Sequence, residues 1–367
     1  MRMSRKKVAV IGGGIFGVTA ALELSKTFSV DLYEMAGDLL SGATYANHNR
    51  HHYGFHYPRS TETVLQCQRG RVEFERVYKD ALFWNFSNYY AVANDNSNTT
   101  FANYLKFCSE MNLSFEVVEP PENLFNIKKI EGCLLVKEGV YDYKILKKIT
   151  IDNLNKNLNK NYLSIRLGSY ISKLDSKGMN ENYLYVDGSN APVHYDFVIN
   201  ATYARSNEFC QWINCHKREF QFNLQELAVI KIPEINKIGL TVMDGLYPSL
   251  LPLGQSDEYL FAHAEESQLK REVSIASSGI LSRVNYVESN WDEIKKVSAQ
   301  YLPILERATY IRSIFVDRVV DSKKFGTDER VSENIDHGNG CWSVFSAKVL
   351  TSVDNAIDLH SKLINSL

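Results

Sequence analysis

The chain has 367 residues, long enough for two domains rather than one minimal core. Hydrophobic residues make up 44% and charged residues 23%, a globular balance that excludes a wholly disordered chain. Lys+Arg total 41 against Asp+Glu 43, and this net charge of -2 offers no basic excess for a nucleic-acid groove or an anionic membrane surface.

Arg2, Arg5, Lys6 and Lys7 precede an apolar run from Val8 to Leu24 that imitates a secretion signal. Gly12, Gly13, Gly14 and Gly17 interrupt the run, Glu23 falls near its end, and no small-residue cleavage site follows. A buried strand, turn and helix account for it better. Val8–Ile11 reads as a parallel strand covered on both faces, Val18 to Lys26 as a helix, and Ser29 to Glu34 as a second strand. The glycines between them follow the pattern GxGxxG, and an acid closes the second strand about twenty residues later. Gly12 permits a tight turn, Gly14 lets a pyrophosphate approach the backbone, and Gly17 lets helix and strand pack closely. The helix start, with Ile15 and Phe16, presents free N–H groups and a positive dipole end to phosphate. Glu34 can accept hydrogen bonds from a ribose 2′-OH and repels a 2′-phosphate. The expectation is dinucleotide binding.

Beyond Glu34 the pattern departs from regular strand–helix units. Met35 to Thr44 is a loop of mostly small and polar residues. Asn47 to Arg59 then holds His48, His51, His52 and His56, four of the nine histidines, and is neither a clean helix nor a clean strand. Here the sequence resembles the FAD-dependent amine and hydroxy-acid oxidoreductases of the D-amino-acid-oxidase superfamily, which include glycine oxidase, L-2-hydroxyglutarate dehydrogenase and glycerol-3-phosphate dehydrogenase. Thr44-Tyr45-Ala46-Asn47 fits the family's Ser/Thr-x-x-Asn element, which wraps the flavin. His52-Tyr53-Gly54-Phe55-His56-Tyr57 matches, in spacing, the His-x-Gly-x-x-Tyr element of the hydroxyglutarate branch.

Asn94 to Thr100 predicts a polar loop before a helix at Phe101 to Met111. Lys144 to Leu158 predicts a helix, Asn153 to Asn161 a solvated helix face, and Ser164 to Ile171 a strand. The resemblance places the end of that strand, Ile171, beside the adenine. Asp196 to Thr202 is an apolar strand ending in Asn-Ala-Thr, similar to the family's late strand, whose Ala-Thr-Gly end closes the cofactor domain. Tyr203 stands where the family has glycine, so a different local turn is expected. Tyr247 to Pro252 and Tyr259 to His263 predict strands of an antiparallel sheet, and Trp291 to Tyr301 a helix. Cys341 to Phe345 predicts a strand, with a helix starting at Ser346-Ala347-Lys348 and running to about Leu363. This is similar to the strand, Gly-Gly-Lys turn and helix of the glycerol-phosphate branch. There a helix N-terminus faces the flavin and stabilises the charge of its reduced form.

The resemblance therefore implies an α/β fold with a discontinuous, Rossmann-like FAD-binding domain (1–75, 141–205 and 326–367). An α+β substrate domain built on an antiparallel sheet (76–140 and 206–325) completes it. Non-covalent FAD is expected against Gly12, Gly14, Ile15, Phe16, Gly17, Glu34, Thr44, Asn47, His48, Ile171, Ala201, Thr202, Ala347, Lys348 and Val349. The reaction implied is oxidation of a C–N or C–O bond of a small polar metabolite by hydride transfer to flavin N5, giving an FAD-dependent oxidase or dehydrogenase.

For catalysis, a neutral histidine can take a proton from the substrate heteroatom, and His52 is the first candidate, ahead of His48, His51 and His56. An anionic or zwitterionic substrate calls for an arginine fork, offered by Arg50, Arg59, Arg283, Arg318 and Arg330, with Arg50, Arg318 and Arg330 preferred. Tyr247 and Tyr259 can donate from the substrate sheet, Tyr247 first. No carboxylate or cysteine spacing accompanies the histidines, so no metal is expected there. Cys67, Cys108, Cys133, Cys210, Cys215 and Cys341 contain no CxxC pair and read as reduced, mostly buried thiols of a cytoplasmic protein, without an integral membrane segment. Two alternatives stay open. One is a non-redox flavoenzyme similar to UDP-galactopyranose mutase, whose histidine-containing flavin loop the segment 52–57 also resembles. The other is a protein that keeps FAD for structure alone.

Overall fold

The computed structural model describes residues 5–158, 162–324, 326–327, 329–345 and 348–367. The chain opens with β1 (Lys7–Ile11), α1 (Ile15–Leu24) and β2 (Ser29–Tyr33). The histidine loop leads to α2 (Thr61–Tyr78), β3 (Leu82–Phe83), β4 (Ser87–Ala93), α3 (Phe101–Glu110), β5 (Phe115–Val118) and β6 (Ile130–Val136). Then follow β7 (Val140–Tyr141), α4 (Tyr143–Leu158), β8 (Leu163–Arg166), β9 (Ile171–Ser176), β10 (Asn182–Val186), β11 (Val193–Tyr195), β12 (Phe197–Asn200) and α5 (Ser206–Trp212). The remaining elements are β13 (Phe220–Lys231), β14 (Ile238–Met243), β15 (Pro248–Pro252), β16 (Glu258–His263), β17 (Gln268–Ser274), α6 (Trp291–Ser298), β18 (Thr309–Asp321), β19 (Glu333–Asp336), β20 (Cys341–Phe345) and α7 (Ser352–Asn365).

Two sheets organise the molecule. The first has six strands in the order β19-β20-β12-β1-β2-β8, parallel except for β19, which runs antiparallel to β20. Its central strands β1, β12 and β20 are largely apolar because both of their faces are covered. Val8 and Val10 pack with α1, α2, α4 and α7 through Leu24, Phe74, Leu146 and Leu359. Ala9 and Ile11 face the three-stranded meander β9–β11 and α5, through Leu174, Leu184 and Phe209. The second sheet has nine strands, with long β13 pairing β16, β17 and β18; it is antiparallel except for one parallel pair, β14 with β4. α6 covers part of it, with Ile294 against Leu250 and Phe261.

Four local outcomes refine the sequence reading. The strand expected over Ser164–Ile171 is divided. β8 ends at Arg166, Gly168 takes a left-handed φ of 61° and turns the chain, and Ile171 opens the meander. The C-terminal helix does not start at Lys348, whose backbone is extended (φ -134°, ψ 125°); a 3-10 turn over Val349–Thr351 precedes α7, and Ser346 and Ala347 lie outside the described residues. The tract Asn153–Asn161 is described only to 158, and that part is helical. At Tyr203 the backbone keeps the left-handed conformation a glycine would suit, with φ 53°. The strain, about 1 kcal/mol or more, is offset by a hydrogen bond from Val319 N–H to the Tyr203 hydroxyl (3.0 Å) and by ring contact with Phe345.

The closest packing constraint lies between β1 and α1. A Cβ added at Gly17 would stand 1.8 Å from the Gly12 carbonyl oxygen, and one at Gly12 would stand 2.6 Å from the Ala201 carbonyl oxygen. These are backbone atoms, so no side-chain rotation relieves the clash. Gly17→Ala should therefore lower stability by about 1–3 kcal/mol and separate α1 from the sheet. Thermal unfolding and the ratio of flavin to protein absorbance check this; an unchanged midpoint with full flavin content contradicts it.

Candidate functional site

A cavity of about 1400 Å³ runs between the two sheets. That exceeds the roughly 300–1,000 Å³ of a drug-sized ligand site and suits a dinucleotide together with a substrate. At one end lie Gly12, Gly14, Ile15, Phe16 and Glu34. No side chain caps α1 at Gly14, and a Cβ there would meet only Thr44 Oγ1, at 3.5 Å, so the first turn of the helix opens onto the cavity. The Ile15 N–H is already used, donating to Thr44 Oγ1 at 3.0 Å. Glu34 accepts from Gly13 N–H (2.6 Å) and Ala36 N–H (2.8 Å), and each oxygen keeps further acceptor capacity. Ser169, Tyr170, Ile171, Ala201 and Thr202 continue this wall. A pyrophosphate on the α1 amides and ribose hydroxyls on Glu34 fit these groups, so the residues present suit FAD.

The middle of the cavity is formed by the histidine loop and the large sheet. His48, His52, His56, Arg50 and Lys348 all line it. Burial is the main reason the three histidines are held neutral, with neighbouring cations second. His48 is lowered to about 3 with help from Arg50 and Arg318, while His52 and His56 are well below the usual histidine range with help from Lys348 and Arg50. Lys348, over the Tyr57 ring at 4.3 Å, is lowered to about 7 by burial and by the Arg50 charge.

Arg50 is the fixed charge of this region. Its guanidinium donates to Tyr90 Oη, Glu138 Oε2 (3.3 Å), Thr241 Oγ1 (3.0 Å) and Ser249 Oγ (2.7 Å), and both members of the Arg50–Glu138 pair are buried. Burial opposes its charge, but Tyr90 and Glu138 outweigh that and keep it ionised. Glu138, Tyr90, Thr241 and Ser249 are partners of Arg50 that the sequence did not reveal. Tyr90, Thr241 and Ser249 are on distant strands and Glu138 is in the segment after β6, and nothing in their local pattern marks them.

The other sequence candidates distribute as follows. Arg318, on β18, lines the cavity and donates to Gln225 Oε1 (3.1 Å); no ion pair joins it to a carboxylate among the described residues. Arg59 pairs with Asp244 at 2.8 Å at the rim. Arg330 lines the cavity and donates to the Glu329 carbonyl. Tyr247 is on the wall, but its hydroxyl is given to the Asp95 carbonyl and its ring packs on Tyr301. Asn47 supports the loop from within, donating to the Ala43 and Thr44 carbonyls and accepting from Tyr141 Oη. Val349 is on the wall, and Gly17 serves packing behind it. Three candidates fall away from the cavity wall. His51 is buried against Phe74 and bonded to Glu75 (2.9 Å), Arg283 pairs with Glu272, and Tyr259 packs in the core of the large sheet.

The sequence profile of a family described as FAD dependent oxidoreductase matches residues 7–312. The FAD-dependent monooxygenase FPY4 of Fusarium mangiferae is 28% identical over 197 residues, 53% of this chain and 49% of that protein, so the chain spans about half the length of this relative. The fold is similar to glycine oxidase from Geobacillus kaustophilus (TM-score 0.75, 13% identity, 97% of this chain and 95% of that one). It is also similar to L-α-glycerophosphate oxidase from Mycoplasma pneumoniae, solved with FAD bound (TM-score 0.78, 12% identity, 99% and 95%).

The state of Lys348 makes a stability prediction for the FAD-free protein. Its amine binds a proton less readily folded (about 7) than unfolded (10.5), so the unfolded chain holds more protons between those values. The penalty of burying the ammonium is full below about pH 7 and fades as pH rises toward 10. Lys348→Met should raise stability by a few kcal/mol at pH 6.5, on the order of the shift, and by little at pH 10. Urea unfolding at both values checks this; an equal gain at both shows that folding does not lower the proton affinity of the amine.

Proposed function

The chain belongs to the FAD-dependent oxidoreductases of the D-amino-acid-oxidase type, and from that premise we propose that it oxidises a C–N or C–O bond of a small metabolite bearing a carboxylate. When bound, FAD supplies the acceptor for the hydrogen and electron pair removed from the substrate carbon. The observation that carries the substrate class is Arg318, a guanidinium on the cavity wall bonded to a neutral amide, with no carboxylate ion pair among the described residues. An incoming carboxylate can take its two parallel donors without displacing a protein partner.

The proton chemistry falls to His52. Its imidazole is neutral through burial and lies on the same cavity wall, so a ring nitrogen can accept the proton that leaves the substrate hydroxyl or amine. Arg318, and Lys348 while it is protonated, make that wall cationic, which favours an anionic substrate group and disfavours a further positive charge on histidine. Residues 1–75, 141–205 and 326–367 hold the cofactor in this reading, and 76–140 with 206–325 supply the substrate side. The parallel and the large sheet divide along similar lines. FAD is held non-covalently, by the α1 amides, Glu34 and the loop from Thr44 to His48.

Anaerobic addition of amino acids, N-methyl amines and 2-hydroxy acids to the yellow protein should bleach the flavin with one carboxylate-bearing class. Failure of every class, with FAD bound, sinks the proposal, and turnover of a nucleotide-sugar without net oxidation restores the mutase-like alternative. With the reactive substrate, His52→Ala should slow flavin reduction at least about tenfold. Arg318→Leu should raise the half-saturating concentration at least about tenfold while leaving the limiting rate closer to that of the parent. An unchanged rate in the first variant removes His52 as base, and an unchanged half-saturation in the second removes the carboxylate assignment.

A further inference from the structure

α5 ends in a Schellman motif. Asn214 takes a left-handed φ of 51°, its N–H donates to the Gln211 carbonyl (3.4 Å), and Cys215 N–H donates to the Cys210 carbonyl (3.0 Å). This geometry brings the third-from-last helical residue against the second residue beyond the cap, a place where two apolar side chains ordinarily meet. Here both are cysteines. A third donor arrives from another segment. His337 follows β19, and its N–H donates to the Cys341 carbonyl (2.9 Å) across the β19–β20 turn. One ligand atom each from Cys210, Cys215 and His337 lies within 4.8 Å of the others, with Cys210 buried and the other two half-buried.

We propose that Cys210, Cys215 and His337 form a binding site for a thiophilic divalent cation of the zinc class, which pins the end of α5 to the β19–β20 turn. Two thiolates and one neutral imidazole balance a 2+ charge and are the N/S donors such an ion takes. In a tetrahedral site with metal–sulfur bonds of about 2.3 Å, donor atoms stand about 3.7 Å apart, so closure needs side-chain movements of about 1 Å. The imidazole is already oriented. His337 Nε2 is 2.8 Å from Ser343 Oγ, which also accepts from Asn200 Nδ2 (3.0 Å), and an Nε2–H donated there leaves Nδ1 as the metal ligand. Because two ligands are only half-buried, the fourth position opens to water. The site lies off the cofactor cavity wall, on elements adjoining it, for Glu208 and Trp212 of the same helix do line that wall. It binds metal independently of the FAD reading, and it places a metal where the sequence spacing had suggested none.

The test uses the full-length, FAD-containing protein, chelator-treated and kept reduced. Co²⁺ alone should give one equivalent of a sulfur-to-cobalt charge-transfer absorption, Zn²⁺ alone should displace it, and Zn²⁺ should raise the unfolding midpoint. Cys215→Ser and His337→Ala should each weaken binding at least about tenfold, and Cys67→Ser, in α2, should change nothing. An unchanged far-ultraviolet circular dichroism spectrum identifies variants that fold, and the two ligand variants test the site separately. Absence of the band overturns the proposal, as does its survival in a Cys210→Ser/Cys215→Ser double variant. So does freshly purified protein showing four free thiols of the six, with Cys210 and Cys215 bridged.

Discussion

The buried pair of Arg50 and Glu138 holds the two halves of the site together. Arg50 sits in a loop with no regular structure, and its partners lie on β4, β14, β15 and the segment after β6. The loop is stitched along that same segment by backbone bonds, His51 N–H to the Gly139 carbonyl and Tyr141 N–H to the Asn49 carbonyl, and by Tyr53 N–H to Glu138 Oε1. A buried ion pair gains little over an apolar pair of equal volume, yet removing one member leaves an uncompensated charge and costs about 3–5 kcal/mol. The arrangement therefore contributes position more than stability. It fixes where the histidines stand relative to the large sheet.

That fixed charge also shapes what surrounds it. In an enclosed cavity a cation acts over several residues, and Arg50 depresses the proton affinity of His48, His52, His56 and Lys348 together. Glu138 compensates Arg50 locally, while Arg318 faces the cavity without an ion-pair partner among the described residues. Neutral bases beside an available cation are what the proposed removal of a proton from a carboxylate-bearing substrate requires. In the proposed function the nucleotide end works by different means, through backbone amides of α1 and the Glu34 carboxylate, on a helix placed by the close approach of Gly12 and Gly17.

The molecule thus divides its tasks between kinds of structure. The parallel sheet, covered on both faces, offers an uncapped helix end to a nucleotide. The large sheet offers side chains, because a mostly antiparallel sheet can present one face to a cavity while helices cover the other. Between them the histidine loop belongs to neither sheet, and Arg50 ties it to the large one.

The amino-acid sequence alone determined the elements whose signals are local. β1, α1 and β2 could be read because an apolar run, a glycine turn and a closing acid are contiguous, and the loop before α3 because its polar residues are. Thr44 and Glu34 were readable for the same reason. What tertiary structure decided depends on residues far apart in the chain. His51 and His52 are neighbours, yet one is locked to Glu75 on α2 and the other faces the cavity. Arg50 gained Glu138, 88 residues away, and Arg318 gained no such acid among the described residues. Tyr203 holds a backbone conformation that its residue type disfavours because Val319 and Phe345 support it from other strands. A side chain's identity gives its chemistry, but its charge state and orientation come from whatever the fold packs beside it, and that information lies in long-range contacts rather than in local pattern.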